Sequence, residues 1–585
     1  MLTFSGSPET WDLPLALYRE GITMRLNRWN MVMLAALTLT ALALAAWLGW
    51  STYNYRPAYH QPQEMGPALP VLSGRVALVL IDGLPYHLAT QMPCLQPLIG
   101  RAATAKSLSV LPTMSQATWT ALLSGARPEI SGAALFNAEY DALQPIQVDH
   151  LFALAKDAGM STAIAGHKWW KKMIPAQFVD RSHYVAAFDA AGDLEATQAA
   201  IGFLHDPTID LLLVYLGEYD EMSDIHGPSS QIGSEALRNT NERVCELLAE
   251  IDLGSTVLAI TADHGQLPQG GHGGDDKPVR ETLFLLAGPH VRPGEYQSIE
   301  QPDIALTLAA LLGLPLPRSG QGRILHGLLE ATPAVKMRWQ AALAIQSMAQ
   351  ADAYLESIKA AKLPTALKDQ VTKLEEALQV ESLEEAERLS STLLDQTALF
   401  LTRERAAKIS RSRLTRVPIA LGGLALIVLL FLDNWRRGHR AAMLLALLSA
   451  VAYQALWMAR GHVFSLSTLS SPGSPVSLLV TLVGGAMAVL VLGWFLLWLP
   501  SFLRRDGTKP PLSSARAFST GVVGILFLLG LAAFTVNGSL GSWQLVVPSL
   551  AFVVLLAWVQ AALVGSLSLL GFGLVKLVQR IFRRR

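Results

Sequence analysis

Carboxylates, imidazoles and one hydroxyl recur at the ends of short apolar runs in this chain. Asp82 closes VALVLIDG (76–83), and Asp220 and Asp224 follow DLLLVYLGEY, with His226 close behind in DEMSDIHGP. Asp263 and His264 follow TVLAITA, and His272 stands in the glycine-rich GGHGG (270–274). Mixed carboxylate and imidazole donors suit zinc or manganese. Ser115 lies in LPTMSQATWTALLSG (111–125), a polar turn leading into an apolar segment. A hydroxyl near a helix N-terminus meets free backbone N–H groups and a positive dipole, a setting for an anionic phosphate. Each residue alone has a plainer reading. Asp-Gly is a common turn, serine a common N-cap, and a histidine among glycines an ordinary loop residue. Their joint occurrence, in order and mostly at strand ends, points to one site.

The elements that must position them read as an α/β domain. VALVLIDG is a short, continuous, β-branched run of the kind that forms a buried parallel strand. Similar strands are expected at 162–166, 210–216, 256–262 and 283–287, with helical stretches such as 149–158 and 234–251 between them. Strands alternating with helices predict a doubly wound sheet, whose strand carboxyl ends are where ligands bind. From about 333 to 410 the chain turns helical and charged, and Pro364 and the polar stretch near 380 divide it into several helices. That segment reads as a stalk or helical support returning the chain to a membrane; a dimerising coil is the alternative.

Composition supplies the membrane. Of 585 residues, 51% are hydrophobic and only 16% charged, against roughly 25% charged in soluble domains, so neither a soluble enzyme nor a disordered chain fits. Lys+Arg and Asp+Glu both number 46; without a basic surplus no nucleic-acid-binding module is expected. Cys94 and Cys245 make no disulfide framework and read as two buried thiols, with one bridge as the alternative. Residues 31–50 are uncharged and long enough to span a bilayer, and further runs follow at 417–432, 441–458, 476–500, 517–536 and from near 545. Arg25 and Arg28 precede the first span, and Arg436, Arg437 and Arg440 lie between the second and third. Arg504, Arg505, Lys509 and Arg516 lie between the fourth and fifth, and Arg580 and Arg583 to Arg585 follow the sixth. The alternate loops, 461–475 and 537–544, hold no Lys or Arg, while Arg460 at a loop edge, and Arg411, Arg413 and Arg416 on the outer side of the second span, run against the pattern. The positive-inside rule then predicts a multi-pass plasma-membrane protein with both termini cytoplasmic and residues 51–416 outside.

The ordered set of motifs resembles the alkaline phosphatase superfamily, in particular its type I phosphodiesterase/nucleotide pyrophosphatase branch. The matching pieces are VLIDG (79–83), 111–125, YDEMSDIHGP (219–228), TADHG (261–265), GGHGG and DIALTLAALLGLPLP (303–317). The resemblance covers roughly 72–330. It implies an alkaline phosphatase-like fold and two divalent metal ions, zinc or manganese. Asp82, Ser115, Asp263 and His264 would surround one ion, and Asp220, Asp224 and His272 the other. The family pattern has a histidine at the position of Asp224, so a local shift bringing His226 to the metal is the alternative. Thr118 stands where nucleotide pyrophosphatases have an asparagine that contacts the phosphoryl oxygen. Thr118, Trp119, Asn137 and Lys168 are the candidate substrate contacts. His167, Lys168, Lys171 and Lys172 cluster beside Trp169 and Trp170 and could attract a phosphate.

The domains expected are a cytoplasmic N-terminus (1–30), an anchor (31–50), a linker (51–71), the catalytic domain (72–330), the helical stalk (331–416) and a five-span membrane domain (417–585). The leading functional expectation is a metal-dependent phosphodiesterase or phosphatase, with Ser115 as nucleophile, acting on phosphoesters at the outer membrane face. The overall layout is similar to that of GPI ethanolamine phosphate transferases. That likeness makes a phosphoethanolamine-type transferase acting on a lipid-linked substrate the first alternative. A non-catalytic membrane protein or transporter is the second. Nothing in the sequence sets an oligomeric state.

Overall fold

Uncharged six-residue runs become the centre of the sheet because they can be buried on both faces. In the computed structural model, which describes residues 12–470, 474–504, 512–538 and 548–583, β1 (Val76–Ile81) lies between β5 (Leu211–Leu216) and β6 (Val257–Ala262), parallel to both. Arg505, Lys509, Arg584, Arg585 and most of the 537–544 loop lie outside the described residues. Alternate residues of β1 feed two apolar layers: Val76, Leu78 and Leu80 face one, Ala77, Val79 and Ile81 the other. This is the doubly wound α/β arrangement expected. Beyond β5 come β3 (Thr162–His167) and then β4 (Arg181–Val185), both parallel. Beyond β6 come β7 (Glu281–Ala287) and β2 (Ala103–Leu108), with the two-residue β8 (Gly294–Glu295) and β9 (Ile299–Glu300) against β2. Register decides where the chemistry falls. Ile81 pairs with both Leu216 and Ala262, so Asp82, Gly217 and Asp263 leave the sheet side by side.

Three expectations need correction. The 283–287 strand runs antiparallel to β6 rather than parallel; the connection from β6 is a loop and the short helical turn Lys277–Arg280 rather than the longer helix of a usual crossover. β2 and β4 were not expected: ATAKSL and RSHYV carry polar and charged residues, which a strand near the sheet edge tolerates. Cys94 and Cys245 form a disulfide, with Cα atoms 5.3 Å apart, rather than two buried thiols.

The charged helical segment folds as Pro333–Ser357, Thr365–Gln379 and Leu383–Arg436. The last runs unbroken across 416, so stalk and second span are one helix. Among the described residues, six helices are long and apolar enough to cross a membrane: Trp29–Tyr53, Leu383–Arg436, Arg440–Ala459, Val476–Pro500, Leu512–Asn537 and Ser549–Phe582. Polar clasps join them, including Asn30 with Asn434 at 3.0 Å and Gln454 with Gln560 at 2.6 Å. Leu135 from the sheet domain and Leu466 from the turn after Arg440–Ala459 are buried in the same apolar cluster as these helices, so the two parts of the chain pack directly on each other.

Candidate active site

Ser115 is the first residue of the helix Ser115–Ser124, and the extended backbone of Met114 turns the chain into it. The serine is buried, its Oγ 3.4 Å from His264 Nε2 and 3.2 Å from the Asn137 amide nitrogen, which donates to it. Asp82, Asp263 and His264 cluster beside it, and Asp220, His264 and His272 form an overlapping group, with ligand atoms in each group within 4.8 Å of one another. Asp224 Oδ2 lies 3.2 Å from His272 Nε2, which attaches it to the second group.

The surrounding chain fixes how each donor points. His264 Nδ1 faces the Gly265 carbonyl at 3.1 Å and His272 Nδ1 the Thr113 carbonyl at 2.8 Å. Each Nδ1–H donates outward, leaving Nε2 to offer a lone pair to the cluster. The rings stack with centroids 4.0 Å apart. Asp263 Oδ1 accepts from the Gly83 and His264 backbone N–H groups at 3.1 and 2.8 Å. The Tyr215 hydroxyl donates to Asp82 Oδ2, and the Gln266 amide to Asp220 Oδ1 at 2.7 Å. Gly83 sits at φ +68°, and a Cβ there would fall 2.2 Å from Asp220 Oδ1, so a side chain would displace the ligand.

The electrostatics call for cations. Burial, then Asp263 and Asp220, push the Asp82 carboxyl well above the usual range. Burial and the neighbouring Asp220 raise Asp224 to about 6. Burial lowers His264. Burial also pulls on His272, but Asp224 and Asp220 outweigh it and hold that imidazole up at about 10. Among the described residues, the ion-pair partners of these aspartates are His264 and His272 alone. Asp82 Oδ1 and Asp224 Oδ1 are buried without hydrogen-bond partners. Four converging carboxylates, two imidazoles and two orphaned oxygens fit divalent cations with mixed oxygen and nitrogen donors.

Ser115, Asp82, Asp220, Asp224, Asp263, His264 and His272 are thus brought together. His226, at the end of the helix Glu218–His226, is exposed and in neither ligand group. Asn137 is exposed next to Ser115, its Oδ1 accepting from the Gln116 N–H at 3.2 Å. Thr118 is fully buried, its hydroxyl 3.2 Å from Asp263 Oδ2. Trp119 is also fully buried, stacked on Trp170 at 4.7 Å and edge-on to Tyr215 at 5.1 Å. It packs behind the tyrosine that holds Asp82 and lines no entrance. Lys168 and Lys172 both lie over the Tyr140 ring, at 5.6 and 5.0 Å. His167 stacks on Phe188 and is pushed down to about 4 by burial, which leaves it neutral and unable to attract phosphate.

Sequence reasoning missed the supporting residues. Tyr215 and Gln266 look like strand and loop residues. Asp193, whose carboxylate accepts from the Gly217 and Glu218 N–H groups at 2.9 and 3.0 Å and so caps the helix bearing Asp220 and Asp224, sits in an unrelated helix. The signal for Tyr215 was its place in the β5 run, two residues before the Gly-Glu-Tyr-Asp turn; Asp193 had none.

Residues 76–272, from the first strand to His272, match the family model for type I phosphodiesterase / nucleotide pyrophosphatase. The chain is 26% identical over 283 residues to the human "GPI ethanolamine phosphate transferase 3, catalytic subunit", covering 43% of this chain and 25% of that protein. It is 25% identical over 287 residues to the human "GPI ethanolamine phosphate transferase 2, catalytic subunit", covering 45% and 29%. To the Schizosaccharomyces pombe "GPI ethanolamine phosphate transferase 2" it is 24% identical over 331 residues, covering 48% and 43%. The aligned part is thus about a quarter of the length of the human relatives. Among solved structures, murine ectonucleotide pyrophosphatase / phosphodiesterase 5 superposes with a TM-score of 0.38 at 15% identity, over 44% of this chain and 100% of that one. Part of the chain, including 76–272, is thus similar in sequence to type I phosphodiesterases / nucleotide pyrophosphatases and to GPI ethanolamine phosphate transferases.

Proposed function

We propose that this chain is a phospho-group transferase of the phosphoethanolamine type, which moves the group from a lipid donor to a membrane-bound lipid or glycan. The observation that carries this reading is the seat of the site on the membrane helices. Leu135 and Phe136, just before Asn137, pack in the apolar cluster of those helices, and the loop bearing His272 rests on the turn at 465–470. A site so placed meets substrates embedded in the bilayer, and a single span would suffice if tethering were the only need. The relatives' names favour transfer over the hydrolysis expected at first. The Cys94–Cys245 bridge suits an oxidising compartment and, with the arginine pattern, supports a sheet domain outside the plasma membrane and cytoplasmic termini.

Ser115 Oγ gives up its proton and forms the bond to phosphorus as the diacylglycerol oxygen leaves and takes up a proton, giving a phosphoethanolamine ester on the serine. The acceptor hydroxyl then attacks phosphorus and loses its proton, and the P–Oγ bond breaks as Ser115 Oγ is reprotonated. Asn137 Nδ2 orients the serine oxygen and donates to a phosphoryl oxygen, and Lys168 attracts the anionic donor from the rim. Zinc or manganese ions, one held by Asp82, Ser115, Asp263 and His264 and one by Asp220, Asp224 and His272, would lower the pKa of the serine hydroxyl and offset phosphoryl charge.

The test uses the full chain in vesicles of ethanolamine-labelled phosphatidylethanolamine mixed with extracted membrane glycolipid. Transfer predicts diacylglycerol release with the label moving to another membrane lipid or glycan, abolished in Ser115→Ala while bound metal persists. Label appearing only as free phosphoethanolamine would establish hydrolysis instead, and full activity in Ser115→Ala would remove the nucleophile.

A further inference from the structure

We propose that the serine-rich turn Ser465–Ser470, which lies between two membrane-capable helices, is a positioning element that holds His272 in the ligand cluster. This rests on the reading of His272 as a metal ligand. One hydroxyl ties both backbone polar groups of that residue: Ser470 Oγ accepts from the His272 N–H at 2.9 Å and donates to the His272 carbonyl at 2.7 Å. Two residues on, the Gly274 N–H donates to Ser467 Oγ at 3.0 Å. Ser465 and Ser467 in turn donate to Asp276 Oδ2, each at 2.6 Å. The two segments touch so closely that a Cβ on Gly274 would fall 1.8 Å from Ser465 Oγ.

The turn is itself braced by the membrane block. Leu466 is buried among the membrane helices. The Trp457 indole N–H donates to the Val463 carbonyl at 3.2 Å, and His462 Nε2 meets Thr481 Oγ1 at 3.0 Å. Thr481 lies in a π-helical turn, Val480–Gly484, of the next span. Glycines flank His272 on both sides, with Gly273 at φ +111°, so the GGHGG backbone has little stiffness of its own. Its conformation is instead imposed through hydrogen bonds from residues 193 to 198 positions away. On the opposite edge of the loop, Thr113 Oγ1 accepts from the Gly273 N–H at 2.8 Å. His272 is thus clamped between the nucleophile turn and the membrane domain, and outer hydrogen bonds of this kind set the affinity of a ligand site.

The experiment titrates the metal-stripped full chain in detergent with Co(II), following the visible d–d bands. The variants are Ser467→Ala/Ser470→Ala together, Ser470→Ala alone and Ser470→Thr, the last at a half-buried position that can take the methyl group. The double variant is expected to bind one of two ions about 10- to 100-fold more weakly, with altered d–d bands for that ion and the other ion within about threefold. Ser470→Thr should recover most of what Ser470→Ala loses. Unchanged affinities and bands in both alanine variants, or equal loss of both ions with no rescue by threonine, would overturn the clamp. A wild-type chain that binds fewer than two Co(II) ions would overturn the two-ion reading itself, and the clamp with it.

Discussion

In the metal-free chain His272 is the group through which pH acts on the side of the site it shares with Asp224. Its imidazole is held up at about 10, against an ordinary 6.5, because Asp224 and Asp220 outweigh the burial that would lower it. A raised value means that the protonated ring stabilises the metal-free fold. That contribution is fully present below pH 6.5 and is lost as pH rises through the folded value. Asp224, raised to about 6 by burial and by Asp220, has its proton-linked contribution spent by that pH. Between pH 7 and 9 a divalent ion taking the His272 Nε2 lone pair must therefore displace about one proton. Its apparent affinity should rise about tenfold per pH unit, or about 1.4 kcal/mol, and about a hundredfold over the range. Below pH 6, where Asp224 is protonated too, the dependence should steepen toward two protons. Calorimetric titration of the metal-stripped chain with zinc, in two buffers of different ionisation enthalpy, counts the protons directly. Asp224→Asn removes the carboxylate nearest the ring, and proton release at pH 8 should fall by more than half. An affinity that is flat from pH 7 to 9, with no proton released, would refute the charge balance argued for this cluster.

Two substitutions separate support from contact. Asn137→Ala removes the donor to Ser115 Oγ and the acceptor for the Gln116 N–H; loss of one such donor costs about a hundredfold or more in turnover, with both ions still bound, and an unchanged rate would take Asn137 out of the site. Trp119→Ala empties a fully buried position behind Tyr215 and should destabilise the sheet domain by about 3–5 kcal/mol in calorimetry of the detergent-solubilised chain; a normal melt with a raised KM would instead put Trp119 at the substrate.

What was legible in the sequence follows from what local physics could encode. β1, β5 and β6 are uncharged because they are buried on both faces, so their runs and the ligands at their ends stood out. The strand direction of β7 was not visible, because VLAITA and LFLLA read alike whichever way they run, and the intervening segment is long enough for either connection. β2 and β4 escaped because a strand near the edge can carry Lys106 or Arg181. The ligand motifs were readable one by one, and Asp224 in place of a histidine was readable as a departure. That Asp224 meets His272 while His226 points to solvent depends on helix phase: two residues along a helix turn the side chain through about 200°. Thr118, nearly one helical turn after Ser115, aims its hydroxyl at Asp263, whereas Trp119, the next residue, turns into the core.

The residues that no motif encoded share one property: they act across long sequence distances on groups whose own backbone is weakly constrained. GGHGG carries a ligand on glycines, which gives the loop the freedom to approach Met114 and the serine turn, and leaves its conformation to its neighbours. The neighbour on one side is the nucleophile turn through Thr113, and on the other a turn of the membrane domain through Ser467 and Ser470. The sheet delivers Asp82 and Asp263 by register, whereas the loop bearing His272 is hydrogen-bonded to the turn between two membrane-capable helices. Under the proposed clamp, a metal bound through His272 would depend on the membrane block, and the five later spans would serve the site's framework as well as its anchor.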